Sequence, residues 1–309
     1  MALGHASPNF KDLSAELFAP VRMRFSPTGR QLVTASFDGT VCVWERTADT
    51  VTEWECYATL EGHENEVKDA CFSASGEYLA SCSRDKTVWI WEHLEDTDEY
   101  DCCSILNDHT QDVKCLRWHP SLDLLASGSY DNTICLYRPD PDISDWTRVA
   151  HLTGHESTVW SLAFNASGSL LASASDDKTV RIWKFTPPEQ PSAFSGTDGT
   201  WTCVTTLSGF HTRSVYSVDW CHVTNLLATG CGDNHVRVFR QTQVESASAP
   251  SFEKVYDDQT HTQDVNAVLW CAQEPAGHNA TARILLASAS DDEVITLARF
   301  QEMGPSNCV

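Results

Sequence analysis

The feature that most constrains this chain is a repeated pair of short strands with an aspartate in the turn between them. Each copy has an apolar run, a polar turn and an alternating run that ends in an aromatic residue. Five copies align at residues 32–44, 79–91, 125–137, 171–183 and 227–239, and a sixth, at 286–298, departs at its end. Alternating runs on both sides of a tight turn predict antiparallel strands. We therefore expect an all-β chain built from similar units.

A histidine precedes four of the turn aspartates at a constant distance of 22 positions. The loops between copies vary in length whereas this spacing does not, so we predict that each histidine contacts its aspartate in the folded unit. A serine or threonine of the second strand and an aromatic residue of the third would complete a buried hydrogen-bonded tetrad. The predicted tetrads are His63, Asp85, Ser81 and Trp91; His155, Asp177, Ser173 and Trp183; His109, Asp131 and Ser127 with Tyr137; and His211, Asp233 and Thr229 with Phe239.

These tetrads raise the question of catalysis, because serine, histidine and aspartate form the triads of many hydrolases. Their recurrence in unit after unit indicates a structural role, since an enzyme needs a single site. The 13 cysteines include no Cys-x-x-Cys pair. Most stand singly in apolar runs, which is typical of free thiols in a reducing compartment. We therefore expect a non-catalytic chain with no cofactor and no bound metal.

Units of about 40–60 residues with this histidine-to-aspartate layout are the signature of WD-repeat β-propellers. Fourth strands are expected at further strand-like runs: 53–60, 99–106, 145–152, 200–207 and 252–256. The sequence thus predicts six recognisable four-stranded blades. They could close a six-bladed ring, or the chain could be a longer propeller without its first blade. The predicted divisions are a divergent N-terminal segment at 1–20 with room for one closing strand near 9–17, a propeller of six repeats at 21–300 and a short tail at 301–309.

The charge balance limits the classes of partner. The chain has 21 Lys and Arg against 43 Asp and Glu, a formal net charge of −22. Nucleic-acid binding needs an excess of basic side chains, so we do not expect it. No apolar run approaches the roughly 18–20 residues of a membrane span, and the N-terminus lacks a secretory signal, so a soluble intracellular protein without a membrane partner is expected. Acidic runs at 92–101 and 140–145 are typical of a solvated surface.

One rim of the predicted propeller concentrates candidate binding residues. The residue before each turn aspartate, and those beside the valine that follows each histidine loop, should project from the rim that carries these turns. Exposed aromatic and arginine side chains are typical anchors of protein interfaces, and a basic patch on an acidic chain favours an acidic or C-terminal peptide. The alternative is a set of surface residues that pack against their neighbours. The candidate binding residues are Arg84, Lys68, Lys114, Tyr130, Trp160, Tyr216 and Asp112.

Beyond the generic repeat, the chain closely resembles the WD-repeat subunit of the cytosolic iron–sulfur protein assembly targeting complex. The stretches that carry the resemblance are LEGHENEVK (60–68), SRDKTVWIWE (83–92), HTQDVK (109–114), SYDNTICLYR (129–138), GHESTVWSLAF (154–164), CVTTLSGFH (203–211), CGDNHVRVF (231–239) and HTQDVN (261–266). The family is a seven-bladed propeller, whereas this sequence has no recognisable first blade.

The resemblance implies a non-catalytic adaptor that helps deliver [4Fe–4S] clusters to cytosolic and nuclear apoproteins. The implied partners are a small acidic bridging subunit, a HEAT-repeat scaffold and iron–sulfur apoproteins. The implied location is the cytoplasm, with the nucleus as a second compartment. Arg84 matches a family arginine on the rim that carries the aspartate turns. Leu136, Tyr137 and Arg138 resemble a tripeptide that recruits an iron–sulfur co-chaperone.

A second function is compatible with the same fold, because propellers serve many unrelated functions. The chain could be a substrate receptor of a ubiquitin ligase or a signalling scaffold. A Trp-Asp-x-Arg motif after a third strand would favour the receptor, and neither Trp44 nor Trp91 is followed by one. The sequence therefore favours the adaptor.

Overall fold

The computed structural model describes residues 20–47, 53–94, 96–97, 99–140, 142–188, 199–242, 249–273 and 283–301. Within these ranges the chain forms β-strands in six antiparallel sheets. The first three sheets contain β1 (Pro20–Phe25), β2 (Gln31–Ser36), β3 (Val41–Arg46) and β4 (Trp54–Leu60); β5 (Val67–Phe72), β6 (Tyr78–Ser83), β7 (Val88–Leu94) and β8 (Glu99–Leu106); and β9 (Val113–Trp118), β10 (Leu125–Ser129), β11 (Ile134–Asp140) and β12 (Asp145–Leu152). The other three contain β13 (Val159–Phe164), β14 (Leu170–Ser175), β15 (Val180–Thr186) and β16 (Thr200–Leu207); β17 (Val215–Trp220), β18 (Leu226–Cys231), β19 (Val236–Gln241) and β20 (Phe252–Asp258); and β21 (Val265–Gln273), β22 (Arg283–Ser290) and β23 (Ile295–Gln301).

Each sheet is one blade of a propeller, and successive strands of the chain are neighbours within it. The predicted all-β propeller with six blades is confirmed. The first five sheets have four strands each, and the sixth has three among the residues that the structure describes. The closing strand expected near 9–17 and the tail beyond residue 301 lie outside the described residues.

The turn between the second and third strands of a blade fixes the aspartate by local hydrogen bonds. In the second blade the amide of Lys86 donates to the carbonyl of Ser83 at 3.2 Å, and the amide of Asp85 donates to the Ser83 hydroxyl at 3.0 Å. The residue after the aspartate adopts a left-handed conformation, with φ of 76° at Lys86 and 71° at Asn132. A serine, an aspartate and a residue that accepts positive φ therefore build this turn.

The hydrophobic core lies between neighbouring blades. The second strands β10, β14 and β18 are buried along their whole length, because both faces of each blade interior are covered by other blades. One core cluster illustrates the packing: Ala80 and Ile90 of the second blade meet Leu116 and Leu125 of the third. Covering both faces explains why the sequence shows continuous apolar runs in the second strands rather than strict alternation.

The innermost strands pack in order around the propeller, β1 on β5, β5 on β9, β9 on β13, β13 on β17 and β17 on β21. Among the described residues the sixth blade has no comparable packing against the first. Its third strand shows the consequence. Ile295 and Leu297 occupy the register positions of Val236 and Val238 in the fifth blade, yet they are 72% and 68% exposed, against 7% and 0%.

Candidate protein-binding site

The second and fourth blades form the complete hydrogen-bonded sets that the sequence predicts. In the fourth blade, His155 Nδ1 lies 2.7 Å from an oxygen of Asp177 and His155 Nε2 lies 2.7 Å from the Ser173 hydroxyl. The indole of Trp183 donates to the same hydroxyl at 2.8 Å. In the second blade the equivalent distances at His63, Asp85, Ser81 and Trp91 are 2.8, 2.8 and 2.9 Å. The loop before the first strand and the turn between the second and third strands are thereby tied to the body of each blade.

A threonine that sequence reasoning missed completes each of these sets. Thr87 donates from its hydroxyl to Asp85 at 2.6 Å, and the amide of Glu64 donates to the other carboxylate oxygen at 3.0 Å. Partial burial opposes ionisation of Asp85, but these donors and His63 hold its pKa well below the ordinary value. The signal was present in the sequence as an Asp-x-Thr triplet in four turns.

The third blade keeps the histidine contacts and changes the aromatic one. His109 lies 2.9 Å from Asp131 and 2.7 Å from the Ser127 hydroxyl. Tyr137 stands where the second and fourth blades have tryptophan, and its buried hydroxyl has no hydrogen-bond partner among the described residues. Burial lowers the pKa of His109, but the hydrogen bond that its ring donates to Asp131 outweighs this effect and raises the pKa to about 9.

The fifth blade departs from the predicted pattern. His211 Nε2 lies 3.0 Å from the Thr229 hydroxyl, but its Nδ1 is buried and has no hydrogen-bond partner in the part of the chain that the structure describes. Arg237 takes the carboxylate instead, with its Nη1 2.9 Å from Asp233. Burial and then the nearby guanidinium lower the pKa of His211 to about 4. Phe239 fills the aromatic position without a polar atom.

The tripeptide of Leu136, Tyr137 and Arg138 lies in β11, a central strand of the third blade. Leu136 and Tyr137 are fully buried, and only Arg138 reaches the surface. Alternate residues of a strand between two others point into the packed faces of the blade. In the folded propeller the side chains of Leu136 and Tyr137 are therefore not available to a partner.

The rim that carries the aspartate turns, here called the top face, holds Arg84 in an exposed position. The Arg84 side chain is 57% exposed, and its Nη1 lies 3.0 Å from Glu66. The backbone also links these loops, because the amide of Arg84 donates to the Glu66 carbonyl at 3.0 Å. The guanidinium is thus held on the surface and remains open to a partner on its solvent side.

A row of basic and aromatic side chains continues across the top face. Lys114 Nζ lies 3.0 Å from Asp112, 5.5 Å from the centre of the Tyr130 ring and 5.6 Å from that of Trp160. Trp160 meets Tyr216 edge-on at 5.7 Å. The structure therefore brings together five of the seven candidate residues in one contiguous contact network.

Lys68 joins this row from the side of the first blade. Its Nζ lies 4.6 Å from the centre of the Phe37 ring. Partial burial lowers the pKa of Lys68, and the positive charges of Lys114 and Arg84 add to that effect. Three cationic side chains therefore share one surface on a chain whose net charge is −22.

Trp160 has one polar side-chain atom, its indole nitrogen. Its Nε1 is buried and has no hydrogen-bond partner among the described residues. Arg213, which sequence reasoning missed, extends the surface with an exposed ion pair of 2.9 Å to Asp264 in the next blade. Its partner is 51 residues away, so no local pattern identifies the pair.

Other kinds of site were sought in the described part of the chain. It contains no group of three or more His, Cys, Asp or Glu side chains placed to hold a metal ion. Nor does any helix in those ranges have the length and apolar character needed to span a membrane. The 12 cysteines described there are free thiols, and those in apolar runs, such as Cys71 and Cys115, are buried.

Comparison with known protein families identifies the repeat. A family model described as WD domain, G-beta repeat matches residues 15–45, 54–92, 100–138, 146–184 and 201–240. Together these ranges cover more than half of the chain, and they reach from the first blade into the fifth.

Three curated proteins are similar to part of the chain. The Homo sapiens protein named "Probable cytosolic iron-sulfur protein assembly protein CIAO1" is 50% identical over 114 residues, 37% of this chain and 31% of that protein. The Culex quinquefasciatus protein of that name is 51% identical over 125 residues, 40% of this chain and 35% of that protein. The Mus musculus protein is 50% identical over 115 residues, 37% of this chain and 32% of that protein. The matched segment thus spans about a third of the length of these relatives.

Proposed function

The chain belongs to the WD domain, G-beta repeat family, and from that premise we propose that it is a non-catalytic adaptor in cytosolic iron–sulfur protein assembly. The observation that carries the proposal is the 50% identity over 114 residues with a human protein named for that process. The propeller by itself would not suffice, because the same fold serves many functions.

The adaptor helps deliver [4Fe–4S] clusters, its cargo, to cytosolic and nuclear apoproteins. Its partners are a small acidic bridging subunit, a HEAT-repeat scaffold and the apoproteins themselves, and it acts in the cytoplasm and the nucleus. Its own residues bind proteins and perform no chemistry. The top face supports this part of the proposal, because exposed arginine and aromatic side chains are typical binding anchors.

The chemistry of the top face favours an acidic or C-terminal peptide as its ligand. Arg84, Lys68 and Lys114 supply positive charge, and a carboxylate can accept hydrogen bonds from all three. Trp160 and Tyr216 supply aromatic surface beside them. A nucleic acid does not fit the acidic remainder of the chain.

The test is affinity purification of the full chain from cytosol, followed by mass spectrometry of the captured proteins. The variant is Arg84→Glu, and the matched control is Arg240→Glu, another exposed arginine in an ion pair with a glutamate, 3.4 Å long. We expect the wild type and Arg240→Glu to capture iron–sulfur assembly factors, and Arg84→Glu to capture at least tenfold less, as expected for loss of one hot-spot contact of about 1.4 kcal/mol. Both substitutions should change the free energy of unfolding by less than about 0.5 kcal/mol.

Equal capture by Arg84→Glu and the wild type would show that the top face is not the binding surface. Capture of ubiquitin-ligase subunits without iron–sulfur factors would replace the adaptor by a ligase substrate receptor.

A further inference from the structure

A cleft of about 230 Å³ opens between the second and third blades, at the end of the strands opposite to the top face. It is formed where β7 and β8 of one blade approach β11 and β12 of the next. This volume lies below the roughly 300–1,000 Å³ of small-molecule sites, so the cleft is of a size for a single side chain. It is separate from the top face, and the adaptor proposal does not use it.

One wall of the cleft is aromatic and rigid. Tyr78 of the second blade and Trp146 of the third meet at 5.3 Å with their rings almost perpendicular. Trp146 is only 7% exposed, so its position is fixed by the core while a small part of its side chain lines the cleft. Tyrosine and tryptophan rings attract cations, and the attraction increases where water is excluded.

The other walls carry carboxylates without a basic partner. Glu92, Asp140 and Asp145 line the cleft, and in the described ranges none of them forms an ion pair with a lysine or arginine. Local backbone bonds hold two of them, since Asp140 accepts from the Asp142 amide at 3.0 Å and Asp145 from its neighbour Trp146 at 2.7 Å. Fixed negative charge beside an aromatic wall is complementary to an organic cation.

Two neutral groups in the cleft have raised pKa values. Burial first, and then the charges of Glu92 and Asp145, raise the pKa of Cys103 to about 12. Burial and Glu92 likewise raise the pKa of Tyr78. At neutral pH the Cys103 thiol is therefore protonated and a poor nucleophile or metal ligand. The described carboxylates are also not grouped closely enough to hold a metal ion, which leaves an extended organic cation as the fitting ligand.

We propose that this cleft binds an arginine side chain from an exposed basic segment of a partner protein. The planar guanidinium can stack on the aromatic wall while its N–H groups donate to Glu92 and Asp140. A lysine ammonium offers no planar face for stacking, and a nucleic acid would be repelled by the carboxylates.

The probe is a fluorescein-labelled Gly/Ser peptide with one central arginine, together with the same peptide carrying citrulline, which has a similar shape but no charge. Binding is measured by fluorescence anisotropy with the full chain at low salt. The test variant is Glu92→Gln with Asp140→Asn, and the matched control is Glu53→Gln with Glu55→Gln, two exposed carboxylates of the first blade. Both double variants remove two negative charges.

We expect the wild type and the control variant to bind the arginine peptide equally, and Glu92→Gln/Asp140→Asn to bind it at least tenfold more weakly. The citrulline peptide should bind at least tenfold more weakly than the arginine peptide to the wild type. Equal weakening in the two double variants would indicate non-specific attraction to an acidic protein and overturn the proposal. Equal binding of the citrulline and arginine peptides would also overturn it. Both outcomes leave the adaptor proposal untouched, because the top face is not altered.

Discussion

Among single residues, His211 has a protonation state that burial and the neighbouring Arg237 determine together. The guanidinium contacts Asp233 and lies close to the buried ring, so the pKa of His211 falls to about 4 through burial first and repulsion second. In the unfolded chain a histidine titrates near 6.5. Between these values the unfolded chain takes up a proton that the folded chain does not, so stability must fall as the pH falls.

We therefore predict that His211 destabilises the fold in acid. Its contribution is fully present above pH 6.5 and lost as the pH falls towards 4, up to about 3 kcal/mol for a difference of two and a half pKa units. Urea denaturation of the wild type and His211→Gln at several values between pH 4 and 7 measures it. The stability of His211→Gln should decline less steeply with acid. Parallel curves for the two proteins would contradict the assigned protonation state.

The tetrads stabilise one structural element in particular, the turn between the second and third strands of a blade. In the fourth blade Asp177 accepts from the Thr179 amide at 2.9 Å, the Thr179 hydroxyl at 2.7 Å and the Glu156 amide at 3.1 Å, besides its contact with His155. The turn of the first blade has no such histidine. There the exposed Asp38 contacts Thr40 and backbone of its own turn.

We predict that Asp177→Asn costs about 2–4 kcal/mol, because an amide places donors where His155, Glu156 and Thr179 also donate. Asp38→Asn, the same substitution in a turn without histidine, should cost less than about 1 kcal/mol. Equilibrium unfolding in urea compares the two variants. Similar losses would mean that the contacts within the turn, rather than the tetrad, account for the stability.

The sequence predicts some of the contacts within a blade and not others. The fixed spacing from histidine to aspartate identified contacts within one blade, because those residues lie on adjacent strands and hairpins. It did not identify Arg237 as the partner of Asp233. Arg181 occupies the same register position in the fourth blade without disturbing Asp177. The two arginines have different neighbours on the fourth strand, because Asp257 lies 3.3 Å from Arg237 whereas Thr206 pairs with Arg181. Such effects of the surroundings leave no periodic signal.

Contacts between blades were least predictable, and they determine how the whole molecule is held together. Asp69 lies in β5, and its side chain is fully buried. It accepts from Arg22 at 3.3 Å and Arg24 at 3.1 Å in the first blade, and from the Leu116 amide at 3.0 Å in the third. One carboxylate thus joins three blades across 45–47 positions of sequence. The first blade depends on it, because the structure describes no comparable packing of the sixth blade on its other side.

We predict that Asp69→Asn costs about 3 kcal/mol, since it leaves two partly buried guanidinium groups without their counter-ion. The loss should be local. Hydrogen–deuterium exchange should accelerate in β1–β4, which the carboxylate ties to the second blade, and remain at the wild-type rate in β13–β16. Glu253→Gln, in an ion pair whose two side chains are 40% and 53% exposed, is the control and should cost less than about 1 kcal/mol without changing exchange in the first blade. Uniform acceleration in all blades of Asp69→Asn would mean that the propeller unfolds as one cooperative unit, and the first blade would then not depend on this carboxylate more than the others do.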